Sequence, residues 1–432
     1  MEYRDIFYYE AWDGHWSARN HVTGINSRLE AKHGGKLRYH NQHFAHTVYD
    51  LVPPSQYFAT HPEYFAEING RRVGDEAQLC LSNPEVLEIA TASVRRWAKE
   101  DPDANIISVS ETDWHGHCEC PTCRKLIDQE ASYAGPLLHF INQIAEQVRA
   151  EFPELSIGML AYNHLYSRIP PQQIKPRPNV IVRLVTSGCC RFHPLATCRS
   201  DFDYEGSVQF RQDLAGWRSV ADRLYAWNYV SEYGDILAPF PNLDVLQSDI
   251  KFFVENRVKG VFCQGISGLA GGEFAELRAY LLARFLWDPE CNGQQVRKEF
   301  LAAYYGEAAP FITSYLDLFH QHVATGDMHS QRGTFMATLP RPVIARAEQL
   351  FHAASVAVAE NPTLLSRAKK ERLGIALTKI YRHQEFLPTP AAYELAITEF
   401  TQTAARHGIT HLSEGGQRPL AAEVKKWRAA LE

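Results

Sequence analysis

The sequence has no apolar run long enough to cross a membrane, and no long basic stretch or basic helix face. A membrane-spanning helix needs about 20 consecutive apolar residues, and nucleic acid is bound mainly through clustered lysine and arginine. The formal net charge is −6 at pH 7, which is close to balance for 432 residues. We therefore expect neither a membrane nor a nucleic acid to be a partner. The sequence leaves the oligomeric state open.

The N-terminus also lacks the apolar segment of a signal peptide, and the chain begins almost inside its first predicted strand, near Tyr3. Two interpretations of this beginning stay open: the protein is cytoplasmic, or upstream sequence is missing. The nine cysteines, an odd number in a long chain, favour a reducing compartment over a disulfide framework. On this basis we predict a cytoplasmic location.

Short apolar runs alternate with amphipathic segments over the first two thirds of the chain. Parallel strands joined by helices form either a closed barrel or an open doubly wound sheet. No glycine-rich phosphate-binding turn follows the first strand, so the sequence favours a (β/α)8 TIM barrel over residues 1–293. The eight predicted strands are 6–9, 37–46, 78–81, 106–109, 157–162, 180–185, 224–229 and 260–262.

After about residue 294 the strand-like runs give way to long helical patterns without internal repeats. The sequence therefore predicts an α-helical C-terminal region, residues 294–432, that packs on the barrel. Residues 331–338 are expected to form a loop where this region meets the active-site face.

One segment, residues 106–123, concentrates the chemistry. Its apolar run leads directly into Glu111 and Asp113, and then into a tryptophan, two histidines and three cysteines. In parallel α/β proteins functional groups gather at the carboxyl ends of strands. Two acids two residues apart project to the same side of an extended chain, and their proximity raises one pKa, which suits a general acid. Both acids are therefore catalytic candidates; a turn-capping role for one of them stays open.

Other predicted strand ends carry side chains that suit a neutral, polyhydroxylated ligand. Aromatic rings stack on sugar faces, while amides and carboxylates bind hydroxyl groups. Any one such residue can equally be a satisfied buried polar group, but their recurrence at six strand ends indicates a glycan as the partner. The candidates for substrate binding are Glu10, Trp12, His43, His46, Trp114, His115, Tyr162, Asn163, Trp227, Tyr229, Glu232 and Gln264.

Three cysteines, Cys118, Cys120 and Cys123, fall within six residues. A tetrahedral structural zinc site needs four ligands, and Cys80, at the end of the preceding predicted strand, can supply the fourth. This pattern predicts a structural zinc ion, with free thiols shaping a buried turn as the alternative. Because four thiolates leave no open coordination position, we expect no cofactor for catalysis.

A second group of thiols comprises Cys189, Cys190 and Cys198, with His193 between them. Their spacing is looser than that of paired zinc-binding cysteines. We expect this group to serve packing rather than metal binding.

These motifs, taken in order, resemble a bacterial family catalogued as domain of unknown function 4838. The resemblance runs from Met1 to about His320 and includes His61-Pro62-Glu63-Tyr64-Phe65 and residues 79–84, 108–123, 227–242 and 304–306. That family is related to glycoside hydrolase family 163, whose characterised activity is endo-β-N-acetylglucosaminidase action on complex N-glycans. The resemblance implies a retaining mechanism assisted by the N-acetyl group of the substrate. Glu111 and Asp113 then serve as general acid and acetamide orienter, in an order that the sequence does not assign.

The sequence departs from the family pattern at two positions. Thr112 separates the two acids, which are often adjacent in hexosaminidases of this style, and Cys263 stands where an acidic residue is common. Two alternatives therefore stay open: a non-catalytic carbohydrate-binding barrel derived from such an enzyme, and a zinc hydrolase. The sugar, the linkage and endo or exo action are not assigned by the sequence.

Overall fold

The computed structural model describes residues 1–162, 166–200, 206–266, 270–330 and 335–430. Its main sheet contains β1 (Tyr3–Ile6), β4 (Ile106–Ser108), β5 (Ser156–Ala161), β6 (Val180–Val185), β7 (Leu224–Tyr229) and β8 (Val258–Gln264). These six strands are parallel and lie in the order β1-β8-β7-β6-β5-β4, curled into a half-barrel. A separate antiparallel hairpin is formed by β2 (Glu67–Ile68) and β3 (Arg71–Arg72).

The central strands are apolar along their whole length. Every residue of β5 and β6 is buried, as expected for parallel strands covered on both faces. The strands pair in parallel, with Ile157 opposite Val180 and Trp227 opposite Phe262, and the β7–β8 register shifts once, between Leu224 and Tyr225. The carboxyl ends of these strands therefore lie at one edge of the sheet.

The closed eight-stranded barrel predicted from the sequence is wrong, because two of the eight predicted strands do not join the sheet. Residues 37–46 contribute a single parallel bridge, between Tyr39 and Ile106. Residues 78–81 make only an antiparallel bridge, between Leu79 and Phe65. The first run has histidine, asparagine and glutamine where a buried parallel strand would need apolar residues. It therefore continues as a loop, and the sheet stays open between β4 and β1.

Aromatic side chains fill the concave face of the half-barrel. The guanidinium of Arg183 is buried among them, 4.6 Å from the ring centre of Tyr39, 4.1 Å from that of Phe44 and 4.8 Å from that of Trp227. Its Nη2 donates to the carbonyl oxygen of Phe44 at 2.7 Å. The rings thus supply a cation–π environment for a buried charge. The cluster comprises Tyr3, Tyr39, Ile106, Ile181, Tyr225 and Phe262.

Helices cover the outer face of the sheet. A clear example of local specification is α4, where Asn83 caps the first turn by accepting from Glu85 N and Pro84 occupies the first helical position. The helices are α1 (Gly14–Arg19), α2 (Val48–Leu51), α3 (Pro54–Tyr57), α4 (Pro84–Glu100), α5 (Pro121–Glu130), α6 (Ala134–Arg149), α7 (Ser207–Val220), α8 (Leu243–Glu255) and α9 (Ala275–Trp287). Short 3₁₀ turns occupy Tyr9–Trp12, Ala31–His33, Pro62–Tyr64, Gly306–Ala308 and Glu414–Gly416.

The remaining helices form the C-terminal region, which is helical as predicted. They are α10 (Gly293–Tyr305), α11 (Ala309–Gly326), α12 (Phe335–Thr338), α13 (Arg341–Ala357), α14 (Pro362–Glu371), α15 (Leu373–Tyr381), α16 (His383–Phe386), α17 (Pro390–Arg406) and α18 (Leu420–Ala429). None of the helices described is both long and apolar enough to span a bilayer.

The C-terminal region returns to the carboxyl edge of the sheet. Gln264 Nε2 donates to Glu414 Oε1 at 2.8 Å, and the backbone N–H of Ile236 donates to the Leu412 carbonyl at 2.9 Å. The sequence predicted a loop at residues 331–338. Residues 335–338 instead form the helix α12, and residues 331–334 lie outside the described part of the chain. The domain boundary near residue 293 stays a prediction.

Candidate functional site

The loop that follows β4 carries both predicted acids, but it gives them different surroundings. The side chain of Glu111 is 3% exposed, whereas that of Asp113 is 59% exposed. The extended geometry that would place both on one surface therefore does not continue past the strand. Of the two carboxylates, Asp113 is the one that a ligand in solvent can reach.

Asp113 lies between a histidine and a tyrosine from other parts of the chain. Its Oδ1 is 3.4 Å from His46 Nε2, and its carboxylate accepts a hydrogen bond from Tyr162 at the end of β5. Burial, followed by the charges of Tyr229 and Asp113, raises the pKa of Tyr162 well above its usual range. The Tyr162 hydroxyl therefore stays protonated at neutral pH and acts as a donor.

One hydrogen bond of His46 fixes the proton on its Nδ1. His46 Nδ1 is 2.8 Å from the carbonyl oxygen of Glu111, and a carbonyl can only accept, so Nδ1 carries a proton. The other ring nitrogen, Nε2, faces the Asp113 carboxylate at 3.4 Å. This geometry places an imidazole beside an exposed carboxylate at a strand end.

His46 reaches this position through an uncommon backbone conformation. Its φ is +57°, a left-handed value that side-chain-bearing residues seldom adopt outside functional or turn positions. Its backbone N–H donates to Ser110 Oγ at 2.8 Å, and Thr47 N donates to the Ser110 carbonyl at 3.0 Å. The loop before α2 is thus attached directly to the loop after β4.

Glu111 is held below the surface by His117. Its Oε1 is 2.9 Å from His117 Nε2, while its Oε2 is buried without a hydrogen-bond partner among the described residues. The His117 ring stacks on Tyr133, with ring centres 4.2 Å apart, and meets the edge of Tyr166. His115 stacks on the same Tyr166 at 4.5 Å. Glu111 therefore orders an aromatic and histidine cluster on one side of the loop.

Gln78 is a site residue that the sequence reasoning missed. Its Nε2 donates to the carbonyl of Trp114 at 2.6 Å, and its backbone N–H donates to the Gly116 carbonyl at 3.1 Å. The side chain is almost fully buried and also bonds Thr112. The only signal in the sequence was a glutamine at the start of an apolar run. That pattern predicted a strand and did not indicate hydrogen bonds to the loop after β4.

Several predicted ligand-binding residues lie together near Asp113. Trp114 is 47% exposed, and Tyr229 at the end of β7 is close enough to influence the titration of Tyr162. Trp227 Nε1 donates to Gln264 Oε1 at 2.6 Å, and the ring centres of Trp227 and Tyr229 are 6.4 Å apart. The strand ends thus bring exposed and half-buried aromatic rings to the same edge as the acid.

The structure does not bring His43 to this group. Its ring stacks on Trp97 of α4, with ring centres 3.4 Å apart, and on His40 at 4.6 Å. Burial, followed by the nearby charges of His40 and Arg96, lowers the pKa of His43 to about 4. His43 thus packs between the sheet and a covering helix.

Glu10, Trp12 and Glu232 are placed by contacts with other residues. Burial, followed by repulsion from Glu276, raises the pKa of Glu10 to about 7. Glu232 Oε1 accepts the backbone N–H of Gly234 at 3.0 Å, and Trp12 packs beside Tyr9. Their role in substrate binding stays a prediction. The predicted residue Asn163 lies outside the described residues.

The four cysteines of the predicted zinc site converge. The sulfurs of Cys80, Cys118, Cys120 and Cys123 all lie within 4.8 Å of one another, and those of Cys80 and Cys120 are 3.7 Å apart. Two sulfurs bound to tetrahedral zinc at about 2.3 Å are separated by about 3.8 Å. The backbone N–H of Glu67, in β2, donates to Cys118 Sγ at 3.4 Å. The donor set and its spacing fit zinc.

The fold and the strand-end acid together describe an α/β half-barrel protein with an exposed carboxylate at the carboxyl edge of its sheet. Residues 1–317 match the family model described as Domain of unknown function (DUF4838), and the chain belongs to that family. This finding confirms the family resemblance seen in the sequence. The further relation to glycoside hydrolase family 163 stays a prediction.

Comparison with other proteins adds distant structural likenesses. None of the curated proteins compared with the chain matches it. Among solved structures it is similar to a GH138 enzyme targeting pectin rhamnogalacturonan II, at 10% identity and a TM-score of 0.44. That match covers 81% of this chain and 64% of the enzyme. A D-psicose 3-epimerase from Clostridium cellulolyticum H10, solved with D-tagatose, is similar at 12% identity and a TM-score of 0.24, covering 54% of this chain and 73% of the epimerase.

Proposed function

We propose that the protein is a retaining glycoside hydrolase that cleaves β-linked N-acetylhexosamine-containing glycans with assistance from the substrate's N-acetyl group. The observation that carries the proposal is the exposed carboxylate of Asp113, which lies 3.4 Å from His46 Nε2 and next to Trp114. The resemblance to glycoside hydrolase family 163 supports the choice of sugar. Exposed aromatic rings at the same edge support a glycan as the ligand.

Asp113 acts as the general acid in this proposal. In this step the protonated form of Asp113 passes its proton to the glycosidic oxygen as the bond from that oxygen to the anomeric carbon breaks. The acetamide oxygen of the substrate bonds to the anomeric carbon and forms an oxazolinium ion. Asp113, now ionised, takes a proton from the water that opens the ring, which retains the anomeric configuration.

Tyr162 and Glu111 have supporting roles. The protonated hydroxyl of Tyr162 is placed beside Asp113 and donates to the acetamide oxygen or to the carboxylate. Glu111 is covered by protein, so we assign it as a positioning residue that holds His117, while its backbone carbonyl holds the tautomer of His46. Cys263 is buried in the core. An acidic residue at position 263, as in the family pattern, would therefore not belong to the surface that carries Asp113.

The test is turnover of released N-glycans and aryl N-acetyl-β-glucosaminides by the purified full chain. Asp113→Asn should lower cleavage of natural glycans by about a thousandfold or more, while aryl substrates with good leaving groups, which need no acid, lose much less. Asp128→Asn, an exposed aspartate on α5, is the matched control and should leave the rate unchanged. Wild-type rates in Asp113→Asn would remove the proposal, as would glycan binding without any turnover by wild-type protein.

Two further measurements separate the roles. Aryl glucosides that lack the N-acetyl group should not be cleaved if the acetamide supplies the nucleophile. Glu111→Gln should lower kcat by about ten- to a hundredfold at unchanged KM and thermal stability, because His117 and the loop after β4 shift relative to Asp113. A merely structural role for Glu111 would lower the rate and the thermal stability together.

We further propose that Cys80, Cys118, Cys120 and Cys123 bind a structural zinc ion. The loop after β4 would then be fixed at its far end, so that loss of the metal affects Asp113 indirectly. Cys120→Ser should lower zinc content and thermal stability together, whereas Cys291→Ser, outside this cluster, should change neither. Activity that depends on added zinc with wild-type stability would instead favour a zinc hydrolase.

A further inference from the structure

A second group of metal-binding side chains lies where the loop after β6 meets the segment after α11. The sulfurs of Cys190 and Cys198 and one ring nitrogen each of His193 and His329 all lie within 4.8 Å of one another. The expectation that the thiols there serve packing alone did not include His329. That residue lies 131 positions beyond Cys198, so only folding brings it to the group.

The separations fit a single tetrahedral ion. Cys190 Sγ is 3.5 Å from His193 Nδ1, and Cys198 Sγ is 3.8 Å from His329 Nδ1. Zinc bound to sulfur at about 2.3 Å and to nitrogen at about 2.0–2.1 Å holds the two ligand atoms about 3.6 Å apart. Both cysteines are buried, and both are free thiols.

The surroundings of each ligand are those of a metal site. The backbone N–H groups of Phe192 and Ser200 donate to Cys190 Sγ and Cys198 Sγ, each at 3.4 Å, which stabilises a thiolate over a thiol. His193 faces the group with Nδ1, and its Nε2 is 3.6 Å from Asp327 Oδ1. A metal-bound histidine commonly donates its other ring N–H to a carboxylate in this way.

We propose that Cys190, His193, Cys198 and His329 bind a second zinc ion, with a structural role. Two thiolates balance the charge of the ion, and four protein ligands close the coordination sphere, so no position remains for water or substrate. This inference is independent of the glycosidase proposal, because the site is built from other residues and needs no turnover.

The ion would join two parts of the fold that are distant in sequence. Next to the ligands, the backbone N–H of Arg191 donates to Ser330 Oγ at 2.7 Å, and Arg191 Nη1 donates to the Ser231 carbonyl at 2.8 Å. Zinc at this position therefore fixes the loop after β6 to the helical region and to the end of β7. Its loss should loosen the contact between them.

The test is the zinc content of the purified full chain after dialysis against a weak chelator, by elemental analysis and native mass spectrometry. We expect two zinc ions per chain. Cys198→Ser and His329→Ala should each lower the count to one, and Cys120→Ser should leave one ion at the second site. Cys189→Ser, a buried cysteine adjacent to Cys190 but outside the ligand set, is the matched control and should keep two.

Cobalt offers a readout that does not depend on stability. Cys120→Ser loaded with cobalt(II) should show the absorption of a tetrahedral ion with two thiolate ligands, and this should disappear when Cys198→Ser is added. One zinc per wild-type chain, lost in Cys120→Ser, would overturn the proposal. So would a native mass lower by two hydrogen atoms, which would place a disulfide between Cys190 and Cys198.

Discussion

Gln78 and Thr112 are joined by two hydrogen bonds that run in opposite directions. The Thr112 N–H donates to Gln78 Oε1 at 3.1 Å, and Gln78 Nε2 donates to Thr112 Oγ1 at 2.9 Å. Thr112 stands between the two acids, so one buried amide sets the path of the chain from Glu111 to Asp113. The residue that separates Glu111 from Asp113 is thus the point at which this loop is held.

Gln78→Glu should lower kcat/KM by about ten- to a hundredfold with a small change in fold, because the substitution keeps the size of the side chain but removes its N–H donors. Misplacement of a reacting group by about an ångström has effects of this order. The measurement is steady-state hydrolysis alongside circular dichroism. Gln56→Glu, at an exposed glutamine on α3, is the matched control, and equal rates in the two variants would contradict this role for Gln78.

Trp114→Ala should raise KM for a glycan about five- to tenfold and leave stability within ~0.5 kcal/mol, since the ring is half exposed and stacking on a sugar contributes about 1 kcal/mol. KM and the free energy of unfolding in urea are the quantities to compare. Trp287→Ala removes an equally exposed tryptophan on α9 and should leave KM as it is. An unchanged KM in Trp114→Ala would show that the ring does not bind sugar.

His43→Phe should make the protein less sensitive to acid. The pKa of His43 is about 4 when folded and about 6.5 when unfolded, so between these values the unfolded chain binds a proton that the folded chain does not. The free energy of unfolding therefore decreases as the pH falls from 6.5 to 4, by no more than ~1.4 kcal/mol per pH unit for this one histidine. Asp50, 3.6 Å away, favours the protonated ring, but burial, His40 and Arg96 outweigh it.

Urea denaturation of wild type and His43→Phe at several pH values between 4 and 7 measures this difference. Phenylalanine keeps a ring stacked on Trp97, and the hydrolysis rate at pH 7 should not change because the His43 ring packs against α4. Parallel pH curves for the two proteins would contradict the assignment. A lower hydrolysis rate of His43→Phe at unchanged stability would instead indicate that His43 binds substrate.

Asp213→Ala should be among the most destabilising single changes. Asp213 Oδ2 accepts from Arg168 Nε at 2.7 Å, and the two side chains are 3% and 0% exposed. Removing the acid breaks a buried ion pair, at a cost of about 3–5 kcal/mol. Glu394→Ala breaks the exposed pair with Arg428 and should have no measurable effect in the same urea experiment. Similar midpoints for both variants would contradict the prediction.

Much of the secondary structure could be read from the sequence because it rests on local signals. The apolar runs at β4 to β7 and the asparagine–proline start of α4 predict their elements within a few residues. The helical character of the C-terminal region followed from the same periodicity. The sequence did not show whether the barrel closes. The run at residues 37–46 has enough apolar residues to suggest a strand, but too few to form a strand that pairs with its neighbours in the sheet.

The sequence by itself determined the family, the apolar strands of the sheet, the two acids within residues 106–123 and the three cysteines that follow them, since each is a pattern of neighbouring residues. Only the tertiary structure decided that Asp113 faces solvent while Glu111 is covered, and that Cys190 and Cys198 meet His329. Gln78, His46 and His329 come from distant parts of the chain, and their contacts depend on how the elements pack rather than on local propensity. For that reason Glu111 and Asp113, which are equivalent candidates in the sequence, differ in their exposure to solvent in the folded protein.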